Sequence, residues 1–574
     1  MEGSGRGARR AALRGAAAVF AAALLLLVPG LGRLGALDST DARYLEVARE
    51  MWRSGDWVVP HIAGLPHLHK PPLSYWSAAA GYSVFGLTPF AGRLLQQLAV
   101  AVTAVLVFAF GRARIGPRGG AAAAGVFLTS ALVFGASRGL ETDLLQLSFL
   151  TAGLMALYDG ATRHAVRATA LGFAWLGLSM WAKGPIALFV AAVVLAPVLA
   201  LSGLRLPRRG VAVGLLLFLV LGLPWYVLLI ARDPSLVDYF LERQLLSRVT
   251  AGGEGHVNGL LFLPVRAFLG GFLPWTPLVG LALWRLRPRR RGPRDPLELY
   301  LWLWTLVPLL FFELFATKLA TYLLPCYPGA ALLVGRALEA GRLGDRAGRA
   351  ALAASLGLAG AAALVVAVLL AAAAWDPTRV ERFVVVEEIA APALFAAVLF
   401  GICGVLFALA LRAWRPGGDV SLPAAATAVG VAFLVGFNAL AAPLPDAAAD
   451  ARIVRSVPGA RVVEYGQFRA GLLFYLDGHA VHEVAMYARM VKWSKGRPQA
   501  AALALRREDV EVRMREDVPT FVVVKREKEA ELRTAFGAGT VRRDRRLALL
   551  ANPAAQRALA ALPGGGAAAL DRPL

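Results

Sequence analysis

The chain has 574 residues, of which 58% are hydrophobic and 17% are charged, and its mean hydropathy is +0.59. An ordinary soluble domain is roughly 45–50% apolar and about 25% charged, so this composition excludes a soluble enzyme and a disordered chain. The net charge of +23 would suggest nucleic acid in a soluble protein, but most of the basic residues lie in short segments between apolar blocks. That distribution is typical of cytoplasmic loops, so we predict a lipid bilayer and no nucleic acid as partner.

Most of the chain consists of apolar blocks of about 18–24 residues, each long enough to cross a bilayer as a helix. The first block follows several arginines, as a signal peptide would, but no clear small-residue cleavage site follows it, and we expect it to remain as the first helix. The blocks predict about thirteen transmembrane helices, at roughly 13–31, 91–110, 120–137, 143–158, 168–182, 186–203, 210–231, 260–284, 297–315, 320–336, 350–373, 389–411 and 421–441.

The arginine clusters between the blocks test this count. With a cytoplasmic N-terminus every cluster falls on the cytoplasmic side, for example those at 112–118, 205–209 and 285–294. One miscounted helix would have moved the later clusters to the other side, against the positive-inside rule. We therefore predict a multi-spanning membrane domain at 1–441, with a cytoplasmic N-terminus and a large first outer loop at about 32–90.

The C-terminal region, 442–574, is less hydrophobic and carries both signs of charge. Short β-rich runs at 461–465, 480–484, 520–524 and 545–549 alternate with helix-like stretches at 468–476 and 527–536. This alternation predicts a small α/β domain outside the cytoplasm. The Gly/Ala/Pro-rich end after Leu562 is expected to be a loose tail.

The first outer loop begins with a helical pattern. Its apolar residues Tyr44, Val47, Ala48 and Met51 recur at helical spacing, and the charges lie on the other side. We expect an amphipathic helix along the membrane surface, although composition alone fits a connector with solvated charges equally well. Further on, two consecutive prolines exclude a continuous helix and place Lys70 at a helix start.

Ionisable residues at the ends of apolar helices are costly and mark a functional site. Six such residues fall on the predicted outer side, in the first loop or at helix ends: Asp38, Asp41, Lys70, Asp143, Lys183 and Lys318. Lysine and arginine suit a phosphate, and a carboxylate can take the proton of an acceptor hydroxyl. In glycosyl transfer from a lipid phosphate, fixed cations would stabilise the charge that builds on the leaving group.

The motifs that carry these residues resemble the lipid A 4-amino-4-deoxy-L-arabinose transferase family, a branch of the polyprenyl-phosphate-dependent glycosyltransferases related to the protein O-mannosyltransferases. The likeness runs over about 35–335, and each motif alone is weak, but their order makes chance a poor explanation. The matching segments are TDARYLEVAREM (40–51), SGDW (54–57), HKPPLSYW (69–76), TD (142–143), KGP (183–185), PW (224–225), DYFLER (238–243), FLPW (272–275) and KLATYLLPCYP (318–328).

The resemblance implies a bacterial inner-membrane enzyme that moves a sugar, with inversion, from undecaprenyl or a related polyprenyl phosphate to a lipid or glycan acceptor such as lipid A. By the matching motifs, Lys70 would hold the donor phosphate, Arg43 and Tyr322 would help to position it, and Asp143 would line the acceptor side. Lys318 is a further candidate for the phosphate, although, like Lys183, it could instead brace a helix end.

The sequence departs from the family pattern at the catalytic acid. Many relatives have an Asp-Glu pair before the Arg-Tyr, whereas this chain has Thr40-Asp41, so the acid lies one place late. We favour Asp41 as the catalytic carboxylate, with Asp38 as the alternative. The acid often found before the lysine is His69 here, which removes a negative charge beside the expected phosphate site.

Three alternatives stay open. His61, His67 and His69 invite a divalent metal, but their spacings in a proline-broken loop do not match a ligand pair on a helix, and no cofactor is predicted. A protein O-mannosyltransferase-like enzyme would differ from the enzyme described above only in its acceptor, which would be a protein. A transporter or flippase of lipid-linked sugars would place charges near the midplane and show inverted repeats, neither of which the sequence indicates.

Overall fold

The computed structural model describes residues 2–37, 40–240, 262–288, 295–315, 318–375, 392–415, 420–440, 446–485, 504–543 and 546–562. The chain divides into two compact units. The helical unit comprises Met1–Arg33, His69–Ser77 and Arg93–Ala442. The mixed unit comprises Leu34–Leu68, Ala78–Gly92 and Pro443–Leu574, so it combines parts of the predicted first outer loop with the C-terminal region.

Helices account for most of the described residues. In chain order they are α1 (Glu2–Leu27), α2 (Thr40–Ser54), α3 (Leu73–Phe85), α4 (Pro89–Arg114), α5 (Pro117–Leu128), α6 (Ala131–Ala136), α7 (Thr142–Thr162), α8 (Val166–Lys183), α9 (Ile186–Ser202), α10 (Arg208–Gly222), α11 (Pro224–Arg232), α12 (Leu236–Asp238), α13 (Leu263–Gly271), α14 (Thr276–Arg285), α15 (Pro296–Glu313), α16 (Cys326–Glu339), α17 (Arg346–Trp375), α18 (Pro392–Trp414), α19 (Leu422–Leu440), α20 (Asp446–Arg455), α21 (Ala470–Leu476), α22 (Arg507–Arg515), α23 (Arg526–Ala535) and α24 (Pro553–Ala560). A 3-10 turn spans Ala320–Leu323.

Each of the predicted apolar blocks lies on one or two of these helices. Within the described residues, seven helices are long and apolar enough to cross a membrane, and the number rises to nine if two bent pairs each count as one span. The pair α10 and α11 bends by 48° and the pair α13 and α14 bends by 113°. The predicted class, a polytopic helical membrane protein with a small C-terminal sheet region, is confirmed, and the count of thirteen spans stays a prediction.

The helices α7 and α8 form an antiparallel hairpin in the helical unit. Glycines let the two helices approach closely, since a Cβ on Gly172 would lie 2.5 Å from Cγ of Leu157, and one on Gly153 would lie 3.2 Å from the carbonyl oxygen of Gly172. Because the helices run in opposite directions, the first turn of α7 and the last turn of α8 lie at the same end of the hairpin.

The mixed unit contains a six-stranded sheet in the order β5-β4-β3-β6-β8-β7. The strands β3, β4, β5 and β6 are parallel, and β8 and β7 add an antiparallel edge. A separate two-stranded antiparallel hairpin of β1 and β2 follows α2. The strands are β1 (His61–Ile62), β2 (Leu65–Pro66), β3 (Arg461–Tyr465), β4 (Val481–Ala485), β5 (Ala504–Leu505), β6 (Thr520–Lys525), β7 (Gly539–Arg543) and β8 (Leu547–Ala551).

Helices cover both faces of the larger sheet, which explains why its central strand is a continuous apolar run. Phe521 and Val523 of β6 pack with α20, α21 and α24, whereas Val522 and Val524 pack with α22 and α23 on the other face. The α/β prediction for this region is therefore confirmed.

The helix predicted after residue 40 is present as α2, but the prediction that its charges lie on a solvated side is wrong for three of them. Asp41 is 2% exposed. Glu46 is 0% exposed and Arg49 is 8% exposed. The guanidinium of Arg49 donates two hydrogen bonds of 2.7 Å to the Glu46 carboxylate. Burial is tolerated because the two charges neutralise each other with bidentate geometry.

Candidate functional site

The clearest polar group of the helical unit lies at the end of the α7–α8 hairpin. Asp143 is in the first turn of α7 and Lys183 is the last residue of α8. The ammonium of Lys183 forms an ion pair with Oδ1 of Asp143, and each side chain is 7% exposed. An ion pair that is shielded from water interacts much more strongly with any further charge brought near it than a surface pair does.

Tyr322 joins this pair through the 3-10 turn. Nζ of Lys183 lies 4.2 Å from the centroid of the Tyr322 ring, within the range of a cation–π interaction. We refer to Asp143, Lys183 and Tyr322 as the charged cluster. It brings together two residues that the sequence predicted for the site and a third, Lys183, that was expected at least to brace a helix end.

The backbone after Lys183 orients the cluster. Gly184 has φ 84° and ψ −159°, a conformation essentially restricted to glycine, and it ends α8 directly beside the ammonium-bearing residue. Trp181 donates its indole N–H to the carbonyl of Leu221 at 2.5 Å, and Tyr226 donates its hydroxyl to the carbonyl of Met180 at 3.4 Å. The last turn of α8 is thus held from α10 and α11.

Lys318 has a different carboxylate partner. Its Nζ lies 2.7 Å from Oε1 of Glu313, the last residue of α15. The same oxygen accepts the backbone N–H of Phe262 at 3.1 Å. This bond links Lys318, two residues before the 3-10 turn that carries Tyr322, to the end of α15.

Lys70 lies in the helical unit, three residues before α3, and is half-buried. The helix that follows it packs against the hairpin, because the rings of Trp76 and Trp181 lie 5.2 Å apart at 40°. Trp181 is two residues before Lys183. The Lys70 segment and the last turn of α8 are therefore linked by an aromatic contact within one unit.

The remaining predicted residues lie in the mixed unit or outside the described residues. Asp41 is buried in the first turn of α2, and its Oδ2 accepts the backbone N–H of Leu37 at 3.1 Å. Arg43 follows on the same turn and is half-buried. Asp38 lies outside the described residues, so the choice between Asp41 and Asp38 stays a prediction.

One titratable group beside these residues has a displaced pKa. Burial raises the pKa of Glu46 above its ordinary value, and the hydrogen bonds from Arg49 act in the opposite direction. This buried acid was not predicted, because the helical pattern of α2 placed its charged residues on a solvated side.

No three His, Cys, Asp or Glu side chains converge as a metal site would require within the part of the chain that the structure describes. Sequence reasoning also missed the pairing of Asp143 with Lys183. A usable signal existed: two consecutive apolar helices joined by a short turn must run antiparallel, which places the start of the first helix beside the end of the second.

Comparisons with known proteins agree with these features. Residues 69–227 match the family model described as dolichyl-phosphate-mannose-protein mannosyltransferase. The matched segment contains Lys70 and the whole α7–α8 hairpin.

Two solved structures share the fold over nearly the whole chain. The apo structure of ArnT from Cupriavidus metallidurans superposes with a TM-score of 0.76 at 22% identity, covering 95% of this chain and 99% of that one. The structure of the same protein bound to undecaprenyl phosphate gives a TM-score of 0.74, covering 94% and 98%.

Several arabinosyl transferases are similar to this chain in sequence. The undecaprenyl phosphate-alpha-4-amino-4-deoxy-L-arabinose arabinosyl transferase of Edwardsiella ictaluri is 31% identical over 432 residues, which is 72% of this chain and 74% of that protein. Arabinosyl transferase 1 of Sodalis glossinidius is 36% identical over 326 residues, 54% of this chain and 56% of that protein. The chain therefore belongs to the undecaprenyl phosphate-alpha-4-amino-4-deoxy-L-arabinose arabinosyl transferase family.

Proposed function

We propose that this multi-pass membrane protein is a glycosyltransferase that moves a sugar from an undecaprenyl phosphate donor to an envelope acceptor such as lipid A or another glycan. Its relatives are named as arabinosyl transferases with an undecaprenyl phosphate-linked sugar, and the ArnT structure holds undecaprenyl phosphate. The observation that carries the proposal is the buried charged cluster, because an apolar helical unit retains an ammonium and a carboxylate where they bind or react.

The reaction requires one bond to form and one to break. The acceptor oxygen attacks the anomeric carbon on the face opposite the phosphate, and the bond from that carbon to the phosphate oxygen breaks. The leaving group is polyprenyl phosphate, and the acceptor proton passes to a carboxylate. The anomeric configuration is therefore inverted.

The residues divide into those that serve the phosphate and those that serve the acceptor. We propose that the donor phosphate is held by Lys70, Arg43 and Tyr322. The ammonium of Lys183 is a further cation that can stabilise charge on the leaving group. Lys318 is proposed for the same phosphate, although its bond to Glu313 suits it equally to holding the Tyr322 turn.

The acids are proposed to act on the other side of the sugar. Asp41, or Asp38 in its place, takes the acceptor proton. Asp143 is proposed to orient Lys183, because its carboxylate lies against that ammonium. Its place on the acceptor side is proposed from the family motif that it matches.

We propose that the protein lies in the bacterial inner membrane with its N-terminus in the cytoplasm. Residues 1–441 would form the membrane domain and 442–574 the extracytoplasmic domain. The distribution of arginines between the apolar blocks supports this orientation.

A protein acceptor is the second candidate. It is favoured by the match of residues 69–227 to the protein mannosyltransferase model. A flippase is disfavoured, because the relatives are named as transferases. Incubating the purified protein with the donor and with either lipid A or a peptide acceptor, and finding which gains the mass of one sugar, separates the candidates.

The donor site is tested by native mass spectrometry of the detergent-purified protein with undecaprenyl phosphate, with uncharged polyprenol as the control lipid. We expect phosphate-dependent binding to weaken about tenfold or more in Lys70→Ala, because a charge-assisted hydrogen bond is lost. Lys528→Ala removes an exposed lysine in the mixed unit and should leave binding unchanged. Equal binding of phosphate and alcohol, unaffected by Lys70→Ala, would refute the donor site.

A further inference from the structure

A short segment at the end of α21 links the C-terminal part of the mixed unit to α2. Within this segment Phe474 packs beside Tyr82 with ring centroids 6.2 Å apart, and the Tyr82 hydroxyl donates to the carbonyl of Leu45 in α2 at 3.0 Å. Tyr475 and Asp477 make polar contacts on either side of that aromatic contact. The segment and α2 are more than 400 residues apart in the chain.

Asp477 holds the second half of α2. Its Oδ1 accepts from Nη1 of Arg49 at 3.2 Å, and its Oδ2 accepts from Nη2 of Arg53 at 2.6 Å. Its side chain is 13% exposed, so these charges are partly shielded from water. Arg49 is also bound to Glu46, so the carboxylate of Asp477 completes a row of four alternating charges along one side of α2.

The backbone of Asp477 is suited to this contact. Asp477 has φ 45° and ψ 39°, the left-handed conformation that ends α21. Asp and Asn adopt this conformation more readily than most residues with a side chain, and Gly adopts it without strain. Substitution by Asn or Gly therefore removes the charge and leaves the end of α21 able to keep its shape.

Tyr475 holds the segment that enters α2. The backbone N–H of Ala36 donates to the Tyr475 hydroxyl at 2.8 Å, and the next residue, Leu37, donates its N–H to Asp41. A Cβ on Gly35 would lie 2.9 Å from the same hydroxyl, so the chain passes close to the tyrosine. Ala36 is thus bonded to α21, and Leu37 is bonded to Asp41.

We infer that the C-terminal domain positions α2 for catalysis, and that Tyr475 and Asp477 are its positioning residues. The inference rests on the proposed function, which assigns Asp41 and Arg43 of α2 to the acceptor proton and the donor phosphate. Neither Tyr475 nor Asp477 is assigned a contact with substrate. They act by holding the two ends of the helix that carries the reacting groups, and small displacements of such groups slow a reaction strongly.

The test uses the full-length protein in nanodiscs, with Asp477→Asn, Asp477→Gly and Tyr475→Phe. Each variant leaves the Glu46–Arg49 pair complete, so no buried charge is left unpaired there. We expect kcat for sugar transfer to fall about tenfold or more. The KM for the donor should rise by less than kcat falls, because Arg43 is the one proposed phosphate-binding residue that α2 carries, and Lys70 and Lys183 are unchanged. Asp517→Asn, an acid-to-amide change at a side chain 86% exposed on the same domain, should behave as wild type.

Hydrogen exchange supplies a readout that does not depend on turnover. In Asp477→Asn the backbone amides of 40–54 should exchange about tenfold faster than in the wild type. The amides of β3 and β6 should keep the wild-type rate, because the ion pairs of Asp477 are with Arg49 and Arg53 of α2. Unchanged kcat together with unchanged exchange in 40–54 would overturn the inference while leaving the proposed function intact. Faster exchange across the whole sheet would also overturn it, since Asp477 would then support the domain and not α2.

An inactive wild-type protein would have a different meaning. The proposed function would then fail, and the exchange of 40–54 in Asp477→Asn would still decide whether the C-terminal domain holds α2. Transfer that is lost in Asp41→Asn and reduced in Asp477→Asn, with donor binding retained in both, would support the proposed function and the inference together.

Discussion

At the scale of single residues, the ion pair of Asp143 and Lys183 is the feature with the largest consequences. Both side chains are almost fully buried, so neither charge has water as an alternative partner. Removing one member of such a pair leaves the other uncompensated, whereas replacing both with neutral groups of similar size is often tolerated. The pair therefore allows stability and chemistry to be separated by substitution.

We predict that Asp143→Asn and Lys183→Met each lower the free energy of unfolding by about 3–5 kcal/mol, because each leaves a buried charge unpaired. The double variant should recover most of that loss and still transfer no sugar, since the ammonium and the carboxylate are both absent. Thermal unfolding in detergent and a transfer assay measure the two effects.

The pair of Arg114 with Asp159 offers a control for this experiment, because neither residue belongs to the charged cluster or to the proposed phosphate site. The double variant Arg114→Met with Asp159→Asn removes an ion pair from the same unit, near the opposite end of α7 from Asp143. It should retain more transfer activity than the Asp143–Lys183 double variant. Full transfer activity of the Asp143→Asn/Lys183→Met protein would show that the Asp143–Lys183 pair takes no part in the reaction.

At the scale of elements, the break between α8 and α9 determines where the ammonium of Lys183 points. Gly184 has a backbone conformation that a side chain resists, and an added Cβ would lie 3.1 Å from the hydroxyl of Tyr226. Gly203, at the other end of α9, is left-handed and has nothing within 4 Å of its added Cβ. The two glycines therefore differ in what surrounds them.

We predict that Gly184→Ala lowers the free energy of unfolding by about 1–3 kcal/mol and reduces transfer, because relief of the strain moves the adjacent Lys183. Gly203→Ala should destabilise by about 1–2 kcal/mol with activity kept. Comparing transfer rates at equal folded fractions isolates the effect on the ammonium. Equal rates for both variants would mean that the break does not orient Lys183.

Much of the element pattern could be predicted from the sequence, because hydropathy and strand alternation are local properties. The helices at the apolar blocks, α2, and the strands at 461–465 and 520–525 were anticipated within a few residues. The 113° bend between α13 and α14 was not anticipated, since hydropathy alone does not indicate whether the chain turns within an apolar block. Prolines at 264, 274 and 277 were the available signal.

Residues of the candidate site could be predicted where a charge interrupts an apolar block. Buried charges could not be predicted where the residue that neutralises them is distant in the sequence. Asp143 was predicted as an ionisable residue at the end of an apolar block and Tyr322 from the family resemblance, and the structure brings both to Lys183. The burial of Glu46 and Arg49 was missed, because one of their partners, Asp477, is 428 residues from Arg49. An argument from helical periodicity assumes that every charge is solvated, so it cannot predict a partner that is distant in the sequence.

At the scale of the whole molecule, the mixed unit is assembled from the beginning and the end of the chain. The proposed orientation places that unit outside the cytoplasm and the loop that contains Arg205 inside. The native thiols do not interfere with a labelling test, since Cys326 and Cys403 are both buried. Lys528 and Arg205 are both exposed and are suitable positions for new thiols.

We predict that Lys528→Cys reacts with a membrane-impermeant maleimide in intact spheroplasts, and that Arg205→Cys reacts after the membrane has been opened. The unsubstituted protein serves as the blank. Labelling of Arg205→Cys from the outside, with Lys528→Cys protected, would reverse the orientation of the whole chain.

The link between Arg49 and Asp477 also has a consequence for how the protein is made. A ribosome adds about 5–20 residues each second, so the 428 residues between the two partners take roughly 20–90 seconds to synthesise. During that interval α2 exists without the carboxylate that completes its row of charges and without the tyrosine that holds its entrance. A late part of the chain therefore completes one of the first helices, and a ribosome that stops before Tyr475 releases a protein in which α2 and the residues that precede it make neither of these contacts.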